Sequence, residues 1–233
     1  MKEQVDILNK QLKHADAVQI LKLAYDSFGQ KVAFASSLGL EDQVITHLIA
    51  EHCQDMRIFT LDTGRLFPET YDLIDKTCAR YKLKIEIFFP DAESVEAMVK
   101  DKGINLFYDS IENRKLCCSI RKTKPLQRAL KESEAWITGL RRSQAVTRKD
   151  LQVVEWDHLN NMIKINPLVD WSEQMVKSFI AAHHIPYNTL HDKGFPSIGC
   201  QPCTRAIHSG EDIRAGRWWW ELPEQKECGL HKA

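Results

Sequence analysis

VAFASSLGLEDQVITHLIAEHCQDMRIFTLD, residues 32–62, holds a complete structural unit. VAFAS (32–36) is short and almost wholly apolar, the signature of a strand covered on both faces. Glu41 to Cys53 spaces its apolar residues as a helix does, and RIFTLD (57–62) is a second strand. Two strands joined through a helix need a crossover, and right-handed crossovers lay such strands parallel.

The same alternation extends in both directions. Toward the N-terminus, Val5, Leu8, Leu12, Val18, Leu21, Tyr25 and Phe28 recur at helical spacing, and Gly29 is a stop. Toward the C-terminus, Pro68 opens a helix to about Tyr81, KIEIFF (84–89) is a third strand, and a helix spans 91–102. Cys117 to Leu130 reads as one helix and WITGL (136–140) as a fourth strand. VVEW (153–156) and MIKINP (162–167) are candidate further strands, and Ser172 caps a helix running to about His184. The expected fold class is therefore α/β, a doubly wound and mainly parallel sheet, which binds ligands at the carboxyl ends of its strands. After Thr189 the periodicity collapses. Residues 1–190 are expected to form the α/β domain, and 191–233 an irregular arm over the sheet edge.

The chain of 233 residues, 43% hydrophobic, can bury one substantial core. Lys+Arg and Asp+Glu are equal at 32 each, so only the distribution of charge is informative. No run is long enough for a membrane span, and MKEQVDILNK puts charges where a signal peptide needs apolar residues. A cytoplasmic protein without a membrane partner is expected.

Three strand ends carry polar or basic groups. The first opens into SSLGLED (36–42), where Ser36, Ser37 and Gly39 make a small-residue turn into a helix, suited to a phosphate or simply to a tight turn. The second ends in Leu61, Asp62, Thr63, Gly64 and Arg65, able to hold a ribose or adenine edge or to cap the next helix. The fourth ends in Gly139, Leu140, Arg141, Arg142, Ser143 and Gln144, with Thr147 and Arg148 close behind. Arg114 to Lys149 holds eleven Lys/Arg against two Glu. With no aromatic interleaving or nucleic-acid motif, a small polyanion is the better guess than nucleic acid.

Seven cysteines are an odd number, and in a reducing compartment structural disulfides are not expected. Cys53 and Cys78 fall inside helical patterns and read as buried, unreactive thiols. Cys117–Cys118 and the Cys200–Cys203 pair make four candidate metal ligands. A CxxC loop suits zinc or a [4Fe–4S] cluster, and a redox pair is a third option. Adjacent residues of a helix diverge by about 100°, which is awkward around one ion and tilts the choice toward a cluster with separated irons. Near the end stand Arg214, Arg217, Trp218–Trp220 and then Cys228, with Lys226 and His231 nearby to favour its thiolate. The three Trp are expected to anchor the arm onto the body.

Together, SSLGLED, LDTGR, CCSIRK with PL following, GLRR, GCQPCT, RAGRWWWE and ECGLH resemble the assimilatory adenylyl-sulfate reductases, within the phosphoadenylyl-sulfate reductase family. The resemblance runs from Ser36 to His231. It implies an adenine-nucleotide hydrolase-like fold and one [4Fe–4S] cluster per chain on Cys117, Cys118, Cys200 and Cys203. It also implies a pyrophosphate loop modified at Glu41 and Asp42, so that ATP cleavage is not expected. By motif position Lys122, Arg214, Arg217 and His231 would contact the phosphosulfate, with Arg141 and Arg148 in the flanking basic loop. The implied reaction is attack by catalytic Cys228 on adenylyl sulfate, release of AMP, and reduction of the Cys–S–SO₃⁻ intermediate by thioredoxin or glutaredoxin to give sulfite. That chemistry belongs to sulfate assimilation and cysteine biosynthesis. Members specific for the 3′-phosphorylated nucleotide typically lack the four cluster cysteines, while use of that nucleotide, alone or alongside adenylyl sulfate, is the alternative. A homo-oligomer is the implied assembly. The ECGLH tail has to alternate between nucleotide and reductant and is expected to be mobile.

Overall fold

A computed structural model describes residues 2–144 and 148–222. Its centre is a six-stranded sheet in the order β3-β2-β1-β4-β6-β5. β1 (Val32–Ala35), β2 (Arg57–Leu61), β3 (Glu86–Phe88), β4 (Ala135–Ile137) and β6 (Met162–Ile165) run parallel to their neighbours in this set. β5 (Val154–Asp157) pairs antiparallel with β6, so the two late candidate strands form a hairpin at one edge.

The period-two alternation of the strands divides the core. Val32 and Phe34 of β1, Ala135 and Ile137 of β4, and Ile163 and Ile165 of β6 share one apolar cluster. That cluster also takes in α2 (Ala17–Phe28), α3 (Leu40–His52), α4 (Pro68–Tyr81) and α8 (Glu173–Ala182) through Leu21, Ile45, Leu73 and Val176. The intervening residues Ala33, Phe59 and Trp136 pack on the other face, against Leu126 and Ala129 of α7 (Lys124–Ala129). Both faces are thus covered, as the continuous apolar strands require.

Three expectations are altered. The N-terminal helical pattern is two helices, α1 (Lys2–Gln11) and α2, because Asp16 caps α2 in a reciprocal box with Gln19. The expected helix from Cys117 to Leu130 is α6 (Ile111–Cys118), a π turn over Ser119–Thr123, and α7. The Lys124 N–H reaches back five residues to the Ser119 carbonyl, and Pro125 has no N–H with which to restore the α pattern. Finally, the C-terminal arm lies over the carboxyl ends of the strands, not beside the sheet. Gln201 N–H donates to the Arg65 carbonyl at 2.8 Å, and Thr204 bridges Arg217 as a one-residue ladder. α5 (Ala92–Lys102) and α6 flank this arm, and Met98, Phe107, Ile120, Cys203 and Trp218 form a small core beneath it.

Among the described residues no helix is long and apolar enough to cross a membrane.

Candidate active site

A cavity of about 320 Å³ opens at the carboxyl ends of β1, β2 and β4. The loop after β1 lines it with Ser36, Ser37 and Gly39, β2 with Leu61 and Thr63, and the end of β4 with Gly139. Lys122 enters from the π turn, Arg148 from the loop after β4, and Arg214 and Arg217 from the arm. Ten of the residues singled out in the sequence therefore meet on one wall or another of a single cavity.

Two do not line it. Arg141 is buried and spent on Glu41, with Nη2 at 2.7 Å and Nε at 2.8 Å from Oε1, and it also donates to Ser143 Oγ. Asp62 is buried as well. Its Oδ1 accepts the Gly64 N–H at 2.7 Å and the Tyr71 hydroxyl at 3.0 Å, so it builds the LDTGR turn, where Gly64 takes φ +69°. Catalytic candidate Cys228, His231, Lys226 and the rest of ECGLH, with Thr147, lie outside the described residues.

The loop after β1 is an anion site already filled by its own chain. Asp42 Oδ2 accepts the Ser37 N–H at 2.5 Å and its hydroxyl at 2.6 Å. Those donors would otherwise serve a phosphate. An added Cβ at Gly139 would run into the Asp42 carboxylate, which explains why that strand end is bare. Burial pushes the Asp42 carboxyl up to about 7, against the opposing pull of the Ser37 hydrogen bonds.

A carboxyl raised in the folded state binds its proton there and loses it when unfolded, so its contribution to stability falls as pH rises from about 4 to 7 and then levels off. The slope for one such group is about 1.4 kcal/mol per pH unit. Asp42→Asn keeps an oxygen acceptor and removes the titration. The stability of the variant relative to the parent should therefore rise with pH through that window, as read from urea midpoints at pH 5, 6 and 7. A pH-independent difference would mean that Asp42 ionises without cost.

The cationic end of the cavity is built around Arg217. Its guanidinium carbon stands 4.7 Å from the Trp218 ring centroid, and Nη1 lies 3.3 Å from Ser197 Oγ and 3.4 Å from the Ile198 carbonyl oxygen. Gly199 leaves room for it, since an added Cβ would occupy the guanidinium position. Gly199→Ala should fold normally but displace Arg217, weakening nucleotide binding about tenfold, or 1.4 kcal/mol, by calorimetric titration with AMP. Unchanged affinity would mean that Arg217 does not contact the ligand.

Beside this end, and sharing Lys122 with it, lies a second cavity of about 20 Å³ lined by Cys117, Cys118, Cys200 and Cys203. Among the described residues none of the four is in a disulfide, nor is Cys53, which is buried, or Cys78, which is only half-buried. Thr63 Oγ1 stands 3.2 Å from Cys200 Sγ and its carbonyl accepts Arg121 Nη1 at 2.7 Å, so one residue joins the two cavities. Arg65, Arg114 and Arg121 complete the lining. Arg121 lies close enough to Cys117, and Arg114 to Cys118, for each guanidinium to favour the thiolate beside it. Burial, and then the neighbouring Cys200, pushes the Cys203 thiol up to about 12. Among the described residues no three Cys, His, Asp or Glu side chains gather around one point as ligands of a single ion. The Trp218 indole N–H, sealed in the apolar cluster that includes Cys203, has no hydrogen-bond partner among the described residues.

These arginines are what reading the sequence missed. The basic run reads as part of the nucleotide rim, but Arg114 and Arg121 line the cysteine cavity, where Arg114 is paired with Glu221. Thr138 and His191 also line the larger cavity without having been singled out, and Gln144, named with the end of the fourth strand, lines it too. His191 sits in an aperiodic stretch, where only its place in HDKGFPSIGC could have marked it.

Comparison with known proteins agrees with this architecture. The phosphoadenosine phosphosulfate reductase domain matches residues 31–206. An adenosine 5′-phosphosulfate reductase of Allochromatium vinosum is 50% identical over 220 residues, covering 94% of this chain and 86% of that protein. The crystal structure of a phosphoadenylyl-sulfate reductase from Candida auris, a phosphate complex, superposes with a TM-score of 0.77 at 34% identity, over 89% of this chain and 98% of that one. Yeast FAD synthetase, at 17% identity and a TM-score of 0.56 over 88% of this chain and 66% of its own, shares the fold alone. The chain belongs to the phosphoadenosine phosphosulfate reductase family.

Proposed function

We propose that this protein reduces adenylyl sulfate to sulfite and AMP in the cytoplasm, with Cys228 as nucleophile and thioredoxin as reductant. The observation that carries the reading is the division of the cavity. Its pyrophosphate loop is closed by Asp42, while Lys122, Arg214 and Arg217 line the wall toward the arm. An adenylyl group fits against the strand ends, and its phosphosulfate fits the cations. The Cys228 thiolate attacks the sulfur, the S–O bond to AMP breaks, and the cations take up charge developing on the departing phosphate. A thioredoxin thiolate then attacks Cys228 Sγ and expels sulfite with the bonding pair. The second thioredoxin thiol resolves the mixed disulfide and returns the Cys228 thiolate, so two electrons pass from dithiol to sulfur.

The four cysteines of the smaller cavity fit one [4Fe–4S] cluster. Four thiols lining one small cavity suit the separated irons of a cluster, and the unpartnered Trp218 N–H is suited to a sulfide or thiolate acceptor. When bound, the cluster supplies charge beside the phosphosulfate end and cross-links α6 to the arm. Protein purified without oxygen should be brown, and Cys203→Ser should lose both iron and colour. A colourless parent protein containing zinc would overturn the assignment.

The similarity to the Candida auris enzyme favours a second reading, use of the 3′-phosphorylated nucleotide. Sulfite release with thioredoxin, compared on the two nucleotides, tests both. Adenylyl sulfate is expected to be preferred, and a preference for the 3′-phosphorylated form would reverse the proposal.

A further inference from the structure

Glu221 lies seven residues before Cys228 and is the last charged side chain of the described arm. It is held unusually hard. Arg114 Nε and Nη2 donate to its two carboxylate oxygens at 2.8 Å each, and both side chains are sealed from solvent, 1% and 3% exposed. The same guanidinium lines the cysteine cavity and stands 4.7 Å from the Trp218 centroid, a distance matched by Arg217. Trp218 itself has φ +41°, a backbone conformation a bulky residue adopts only where its surroundings impose it. Its N–H is fixed to the Cys203 carbonyl at 3.1 Å, and its own carbonyl accepts the Glu221 N–H at 2.9 Å.

We infer that Arg114 and Glu221 form a clasp that positions the root of the Cys228 segment on the cysteine cavity. Trp218 lines the nucleotide cavity and its carbonyl holds the Glu221 N–H, so the tether to the nucleophile starts beside that cavity and is seven residues long, at most about 25 Å when extended. A shorter tether from a fixed root raises the effective concentration of what it carries. A lone surface carboxylate could not do this. A buried fork between planar groups sets direction as well as distance. Arg114 and Glu221 are positioning residues, since neither lines the nucleotide cavity. The clasp rests on the reading of Cys228 as nucleophile.

The test uses the intact, metal-loaded protein and follows formation of the Cys228 sulfonate by timed mass spectrometry, with adenylyl sulfate and no reductant. Glu221→Gln should slow this step about tenfold or more at saturating nucleotide. The half-saturating nucleotide concentration and the iron content should stay as in the parent, and Glu221→Asp should recover part of the rate. Should Glu221→Gln fail to fold, Glu221→Asp, which keeps the charge and shortens the fork, should by itself slow the step severalfold with the same split. An unchanged rate, or a slower rate explained by lost nucleotide affinity or lost iron, overturns the clasp. No adduct on the parent protein overturns the Cys228 reading itself, and the clasp with it.

Discussion

Cys228→Ser should bind adenylyl sulfate as the parent does and reduce it at least about 10⁴-fold more slowly. A hydroxyl is a far weaker nucleophile than a thiolate near neutral pH, and it cannot form the thiol-exchangeable adduct that a reductant must cleave. The described groups that line the proposed site come from the strand ends, the π turn, the loop after β4 and the arm, and the substitution changes none of them, so binding should survive. Sulfite production and nucleotide affinity, measured on the same preparation, separate the two effects. Appreciable turnover by the serine variant would move the chemistry to another thiol.

Removing charge from the phosphosulfate end should have the next largest effect. Lys122→Ala is expected to lower kcat/KM by about 10² to 10³, the loss usual when a donor to developing negative charge is deleted. Lys122 lines both cavities, so its ammonium is the cation shared by the phosphosulfate end and the cysteines. A loss in kcat at unchanged KM would place its contact in the transition state, whereas a loss in KM alone would make it a ground-state anchor. An effect below threefold on both would remove it from the site. Ser36→Ala offers a contrast, since its hydroxyl accepts the Leu38 N–H at 3.2 Å within its own turn.

Much of this was legible in the residues, and for identifiable reasons. The parallel sheet follows from VAFAS, RIFTLD and WITGL because strands buried on both faces read as near-continuous apolar runs, and here the charged residues Arg57 and Asp62 fall at the ends of their run. The cavity residues at Ser36, Thr63 and Gly139 were reachable because a parallel sheet gathers its strand ends on one rim. The π turn was not legible, since periodicity cannot tell one extra residue in a turn from a continuous helix. Nor was the split of the basic run. Arg114 and Arg121 carry the same charge as Arg148, and only packing against the cysteines shows that they serve a different cavity. Arg141 failed for a related reason: its partner Glu41 lies 100 residues away in sequence.

The central claim is that a thiol near the C-terminus takes the sulfonyl group before any reductant acts. Incubating the reduced protein with adenylyl sulfate alone, then mapping its peptides by mass spectrometry, tests this directly. The expected result is one added SO₃ on Cys228, AMP released in equal amount, and loss of the adduct as sulfite when thioredoxin is added. An unmodified Cys228 in a preparation that still reduces adenylyl sulfate would contradict it.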